Sequence, residues 1–326
     1  MTDLYAFILP LLLLVPAFAM GAMASEESEI RVGIIGLDTS HVVAFTKVLN
    51  DPKHADHVPG ARVVAAYPGG SPDVKASYTR IDGFTQQLRD MGIEIVDDIP
   101  TLCEKVDAVL LESVDGRPHL EQVKPVFAAK KRVFIDKPFT ASLEDAREII
   151  RLSKESGVPF FSSSSYRFAP DILGARGGNE QIGELLGCDT VGPAHEMEHH
   201  PPYFFYGIHA VEALYTVMGR GCEWVQTFAS EDSDVVVGHW SDGRIGTFRP
   251  VRAKGVKGQV TIVGKQKTVT AASAGYAPML VAIVEFFRTG VPPVEPEETL
   301  EIIEFMTAAG ISRERGGEKV MLSELR

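Results

Sequence analysis

The chain has 326 residues, 45% of them hydrophobic and 23% charged, with a formal net charge of −12. That length suits about two domains of ordinary globular composition, at roughly 100–200 residues per domain. The negative charge and the lack of any basic run argue against a nucleic-acid partner, which needs clustered Lys and Arg for its phosphates.

The first expected element is a leader. Phe7–Phe18 (FILPLLLLVPAF) is apolar, and Ala22-Met23-Ala24 follows as an A-x-A cleavage pattern. Together they predict a signal peptide over residues 1–24, too short for a membrane span. Export to the periplasm or extracellular space is expected, with no membrane attachment after cleavage. The segment before the apolar run lacks Lys and Arg and carries Asp3. A misassigned start codon, and then a cytoplasmic protein, or an uncleaved anchor therefore stays open.

Behind the leader, strands alternate with helices. Arg31–Gly36 is a β-branched run ending in glycine, as a buried parallel strand reads. Ser40–Leu49 has helical spacing, with Ser40 as N-cap. Arg62–Tyr67 is a second strand and Ile93–Val96 a third. A short helix containing Leu102 leads to the strand Asp107–Leu111. The helix His119–Ala129, the strand Arg132–Ile135, the helix Ser142–Ser156 and the strand Val158–Ser162 complete the half. Such alternation predicts a parallel sheet with right-handed crossovers.

The second half changes character. Leu185–Glu198 and Glu223–Ser230 read as strands. Val235–Trp240 and Arg244–Val251 flank Ser241-Asp242-Gly243 as a hairpin, and Gly258–Val263 and Lys267–Ala271 add two more strands. Helices are expected over Gly207–Met218, Ala277–Thr289 and Pro296–Arg315. Cys103, Cys188 and Cys222 lack metal-type spacing and read as buried free thiols.

A strand, a glycine turn and a helix can bind pyrophosphate through helix N–H groups and the helix dipole. Here the loop is Gly36-Leu37-Asp38-Thr39-Ser40-His41. Only the first glycine of G-x-G-x-x-G is present. Asp38 takes the second glycine position and His41 the third. A carboxylate at that place repels a phosphate unless it points away, whereas Thr39 and Ser40 offer hydroxyls. A modified phosphate cradle and a turn that holds nothing are both compatible with the loop alone. The second strand ends Ala66-Tyr67-Pro68-Gly69-Gly70-Ser71, without the acid that commonly binds the ribose of NAD. Ser71 could donate to a 2′-phosphate, so NADP stays open beside NAD.

Asp136-Lys137-Pro138 lies at the carboxyl end of a buried strand, the edge where ligands gather in open α/β sheets. With its flanks, this segment resembles the glucose–fructose oxidoreductase/inositol 2-dehydrogenase/MocA (Gfo/Idh/MocA) family. The matching elements are Asp107, His119, the E-K-P motif rendered as Asp136-Lys137-Pro138, the helix Leu143–Lys154 and the closing Tyr166-Arg167-Phe168. GIHAVEALYTVMG (Gly207–Gly219) resembles the family's catalytic helix, and Glu285–Ala309 its C-terminal helices.

The resemblance implies an α/β fold, with an N-terminal Rossmann-type parallel sheet over residues 30–168. Residues 169–326 would form an α+β substrate and oligomerisation domain with a mostly antiparallel sheet, its last helices able to pack back on the first domain. It implies an NAD(P)-dependent oxidoreductase moving hydride from a sugar, polyol or glycoside. The cofactor would be tightly held and the assembly a homodimer or homotetramer. Lys137 would bond the substrate hydroxyl and the cofactor ribose, and His209 would be the general acid/base. Asp136 and His119 would border the cofactor, and Tyr166, Arg167, Tyr206 and Glu212 the substrate. The family's aspartate four residues before the histidine is Phe205 here. Glu212, one helical turn after His209, keeps an acid near. These departures also admit a non-catalytic carbohydrate-binding relative, or a redox-assisted glycoside-cleaving enzyme of the same fold.

Ala194–Tyr206 (AHEMEHHPPYFFY) is rich in metal-type ligands, including His195, Glu196, Glu198, His199 and His200. No tight H-x-x-x-H or H-E-x-x-H spacing appears. The favoured reading is a pocket wall with Tyr203, Phe204 and Tyr206 as stacking surfaces and no metal.

Overall fold

The protein is described by a computed structural model covering residues 28–197 and 199–326. The expected leader and Glu198 lie outside the described residues.

Six strands form the first sheet: β1 (Ile30–Ile35), β2 (Ala61–Tyr67), β3 (Glu94–Ile95), β4 (Ala108–Leu111), β5 (Arg132–Asp136) and β6 (Phe160–Ser163). Every pair is parallel, in the order β3-β2-β1-β4-β5-β6. Helices α1 (His41–Asn50), α2 (Lys75–Tyr78), α3 (Ile81–Asp90), α4 (Ile99–Lys105), α5 (His119–Ala128) and α6 (Leu143–Ser156) connect them. The strand order reverses between β1 and β4, which opens a crevice at their carboxyl ends.

The second sheet has eight strands: β7 (Gly178–Asn179), β8 (Gly183–Pro193), β9 (Cys222–Phe228), β10 (Val235–Trp240), β11 (Ile245–Val251), β12 (Gln259–Gly264), β13 (Thr268–Ala271) and β14 (Val320–Met321). It is mixed but mostly antiparallel, the parallel pair being β8 with β11. Its helices are α7 (Pro170–Leu173), α8 (Ile208–Met218), α9 (Ala277–Thr289) and α10 (Pro296–Glu314).

The first sheet is apolar on both faces, as a parallel sheet covered on both sides must be. Val32, Ile34, Phe134 and Phe161 point to α1 and to Met279, Ile283 and Phe286 of α9. Ile35, Val109, Ile135 and Phe160 point the other way, into a core continuous with α8, α10 and the second sheet. Helices from the second half thus pack against the first. Among the described residues, no helix is long and apolar enough to cross a membrane. The three cysteines are buried and free.

Three differences from the sequence reading have physical causes. Strand β8 ends at Pro193 rather than Glu198; proline brings no N–H to the ladder, and the chain leaves the sheet there. Helices α2 and α3 fill a stretch to which the sequence reading assigns no element. The apolar stripe of α3 is thin, with Ile81, Phe84 and Leu88 set among polar residues and Gly83. The short turn of 3₁₀ helix over Ser165–Phe168, capped by Ser164, also goes unread because four residues carry no periodicity.

One glycine matters for the crevice. Gly36 follows β1 with φ +89°, and a Cβ there would overlap Ser113 from the loop after β4. Only glycine takes that backbone shape at that separation. Gly36→Ala is expected to lower unfolding free energy by about 1–3 kcal/mol or to displace the loop. Denaturant unfolding measures this, and an unchanged midpoint would contradict it.

Candidate active site at the carboxyl edge of the first sheet

Four loops at the carboxyl edge of the first sheet, with Ala76 and Arg80 from the connection after β2, border a cleft of about 620 Å³. Thr39, Ser40 and His41 enter it after β1. Val114 comes from the loop after β4, Lys137 from the end of β5, and Ser165 and Tyr166 from beyond β6. The second domain closes it with Phe205, Tyr206 and His209, with Gln259 on β12 and with Tyr276 before α9.

Lys137 and His209 therefore face one cavity from opposite domains. Lys137 is 8% exposed, and its Nζ lies 3.5 Å from Asp136 Oδ2. His209 begins α8, and its Nδ1 is 2.7 Å from Ser164 Oγ. Burial and the Lys137 ammonium hold the His209 pKa down at about 3. The imidazole is thus neutral near neutral pH and able to accept a proton. In the tautomer whose Nδ1–H donates to Ser164 Oγ, Nε2 is the accepting nitrogen.

Asp38 solves its own electrostatic problem. It is fully buried and turned away from the loop mouth. Its Oδ1 accepts the Val114 N–H at 2.9 Å and its Oδ2 the Ser77 hydroxyl at 2.6 Å. Burial raises its pKa, against those two bonds. Leu37 is buried as well, so the cleft-lining members of the phosphate turn are Thr39, Ser40 and His41.

His41 occupies the third-glycine position. It stacks on Phe45 at 5.1 Å, and Tyr276 meets it edge-on at 5.1 Å. Its Nδ1 is 2.8 Å from Asp136 Oδ2 and 3.6 Å from Glu112 Oε2. Burial alone would lower the His41 pKa, but the Asp136 carboxylate lifts it to about 9. Burial and the nearby Asp136 charge push Glu112 up to about 7. Asp136 is driven down: Lys137 and His41 outweigh its burial.

Several expected site residues serve the scaffold instead. His119 does not reach the cleft. It is fully buried, with its two ring nitrogens 2.9 Å from the carbonyls of Phe139 and Ser113, and burial lowers its pKa. Ser71 is 7% exposed and takes no part in the cleft lining. Its hydroxyl bonds Asp115, helping to hold that carboxyl below its usual range despite burial.

Arg167 and Glu212 do not line the substrate space. They form a buried ion pair at 2.5 Å, because each needs the other away from water. Arg167 also reaches Glu298 at 2.7 Å, Glu298 reaches Arg176 at 2.5 Å, and Ser163 Oγ donates to Glu212 at 3.0 Å. Glu212 thus orients Arg167 and not the imidazole.

The histidines of the His-rich stretch scatter. His195 packs edge-on to Tyr206 at 5.5 Å, His199 lies 3.7 Å from Asp73, and His200 lies 3.1 Å from Asp115. Tyr206 lines the cleft; Tyr203 instead donates to Asp234 at 2.7 Å.

Two relevant side chains escape the sequence reading. Arg80 lines the cleft, and its buried Nη2 has no hydrogen-bond partner. Its signal was a cation on the segment after the second strand. Glu112 follows the apolar run Ala108–Leu111, so a charge directly after a buried strand was visible as a string.

A nicotinamide dinucleotide fits these residues. Gly36 lets the backbone approach, Thr39 and Ser40 stand at the start of α1, Asp38 is turned away, and Arg80 offers an unpaired donor to an anion. No acid stands at the end of β2.

Residues 30–164 match the GFO_IDH_MocA family, described as an oxidoreductase family with an NAD-binding Rossmann fold. A curated relative, the uncharacterized oxidoreductase YhhX of Escherichia coli, is 28% identical over 112 residues, which is 31% of this chain and 32% of that one. The alignment thus spans about a third of that relative's length. A probable dehydrogenase from Thermotoga maritima superposes with a TM-score of 0.73 at 22% identity, covering 91% of this chain and 100% of that one. Scyllo-inositol dehydrogenase from Lactobacillus casei, solved with bound NAD(H) and scyllo-inositol, superposes with a TM-score of 0.70 at 16% identity over 91% and 100%. At those identities the structural likeness establishes the fold.

The buried network gives a stability prediction. Arg167→Met leaves Glu212 and Glu298 buried with less compensation, and should cost about 3–5 kcal/mol. Chemical denaturation checks this; a loss below about 1 kcal/mol would mean that the pair contributes as little as a surface ion pair.

Proposed function

We propose, for a chain that belongs to the Gfo/Idh/MocA oxidoreductase family through its first half, NAD(P)-dependent oxidation or reduction of a carbinol in a sugar, polyol or glycoside. The observation that carries the reading is the pairing of Lys137 and His209 across one cleft. A bound dinucleotide would supply the hydride acceptor or donor.

The chain's own residues do the rest. The Lys137 ammonium, fixed beside Asp136, donates to the substrate hydroxyl oxygen and favours its developing negative charge. Neutral His209 accepts the hydroxyl proton at Nε2 and returns it in the reverse direction. The Ser164 contact fixes the ring's orientation. Tyr166, Phe205 and Tyr206 give flat apolar surfaces of the kind that stack on sugar rings, and Gln259 adds a polar edge. Phe205 replaces an acid beside the histidine with an apolar wall. It leaves the imidazole without a neighbouring carboxylate at that position to raise its pKa, and so neutral and free to accept a proton. No carboxylate at the end of β2 repels a 2′-phosphate, so the site is compatible with either dinucleotide. Enclosure by both domains supports a tightly held cofactor.

The test separates chemistry from binding. His209→Asn should lower kcat by about 10²–10⁴-fold while dinucleotide affinity changes little. Lys137→Met should lower kcat to a similar degree and weaken dinucleotide binding as well. Steady-state kinetics on a panel of polyols and glycosides, with calorimetry for the dinucleotide, reads both. Variants that turn over like the parent chain would overturn the assignment.

A further inference from the structure

We propose that His41, Glu112 and Asp136 form a binding site for one divalent transition-metal cation, Mn²⁺ or Zn²⁺, in the floor of the cleft. One potential ligand atom from each lies within 4.8 Å of the others. His41 Nδ1 is 2.8 Å from Asp136 Oδ2 and 3.6 Å from Glu112 Oε2. Neighbouring ligands around one ion, each bonded at about 2.0–2.2 Å, stand roughly 3 Å or slightly more apart. Two of the three separations are near that spacing and the third is within 4.8 Å, so the ligand atoms would have to shift to share one centre.

The independent observation is Glu112. It is fully buried, and neither carboxylate oxygen has a hydrogen-bond partner. Its approach to His41 at 3.6 Å is beyond hydrogen-bond length. A buried carboxyl group without partners is unfavourable in ordinary protein surroundings, and more so when it is charged. It also stands close to a second buried carboxylate, and two such groups repel unless something positive lies between them.

The surroundings determine what that something can be. Lys137 lies 3.5 Å from Asp136 and offsets one of the two carboxylates. The His41 imidazolium offsets the other in the metal-free protein, and its ring nitrogen with two carboxylate oxygens is a donor set that suits Mn²⁺ or Zn²⁺. The ion takes the place of the imidazole proton held against Asp136. Phe45 and Tyr276 pack on the His41 ring and fix its orientation. Because His41 also lines the cleft, the positions left open by three protein ligands face its contents. Water or a substrate hydroxyl could complete the shell. Among the described residues, the histidines of the His195–His200 stretch are not part of this site.

The test uses the whole chain, stripped with a chelator and titrated with Mn²⁺ alone and then with Zn²⁺ alone. Calorimetry, the Mn²⁺ paramagnetic resonance signal and thermal unfolding are read. One ion per chain and a raised Tm are expected. Glu112→Gln, which keeps shape and removes charge, and His41→Gln should each weaken binding at least about tenfold. If Glu112→Gln does not fold, His41→Gln decides. Lack of saturable binding of either ion to the parent chain, or equal affinity in a folded variant, would overturn the proposal. These readouts need neither dinucleotide nor turnover, so a negative result leaves the oxidoreductase reading to its own test.

Discussion

The buried Arg167 guanidinium ties the two halves of the site together. It sits just past β6 and binds Glu212 on α8 and Glu298 on α10, with Arg176 completing the charge balance. Desolvating Arg167, Glu212 and Glu298 is costly, and breaking either Arg167 pair leaves a buried charge short of a partner. The network therefore has few alternative arrangements. Its consequence is positional. Lys137 ends β5, the neighbour of β6, and His209 lies one helical turn before Glu212. Locking Arg167 onto α8 fixes the distance across which the lysine and the histidine face each other.

The same logic explains how a damaged-looking phosphate turn remains an orderly structure. Asp38 in place of glycine is accepted because its two oxygens are used by Val114 and Ser77. His41 in place of glycine is accepted because its ring packs between Phe45 and Tyr276 while its Nδ1 meets Asp136. Only the second replacement reaches the cleft, where a charged ring stands in place of bare backbone. In the proposed reading, a nucleotide would meet the start of α1 and Lys137 rather than a run of glycines.

Much of this was legible in the sequence. β1, β2, β4, β5 and β6 announce themselves as short, largely apolar runs, and the alternation with helices gives the parallel sheet directly. Lys137 and His209 are legible through their motif and helix. What the string hides is orientation. Arg167 and Glu212 are polar residues in a family-like segment, and only tertiary packing shows that they point at each other and away from the cleft. His119 likewise looks like a ligand until its ring nitrogens meet two carbonyls. Glu112 is the converse case: it follows an apolar strand, where a charge reads as a loop residue, yet the reversal of strand order buries it beside β5. Arg80 goes unread because the helices around it carry a weak stripe.

The account stands on a nicotinamide dinucleotide occupying the cleft between Lys137 and His209. The most direct measurement is to denature the purified chain and quantify released NAD(H) and NADP(H), followed by calorimetry of each dinucleotide with the stripped protein. The account predicts either near-stoichiometric release or saturable rebinding that is weakened by Lys137→Met. No release and no binding of either dinucleotide would contradict it.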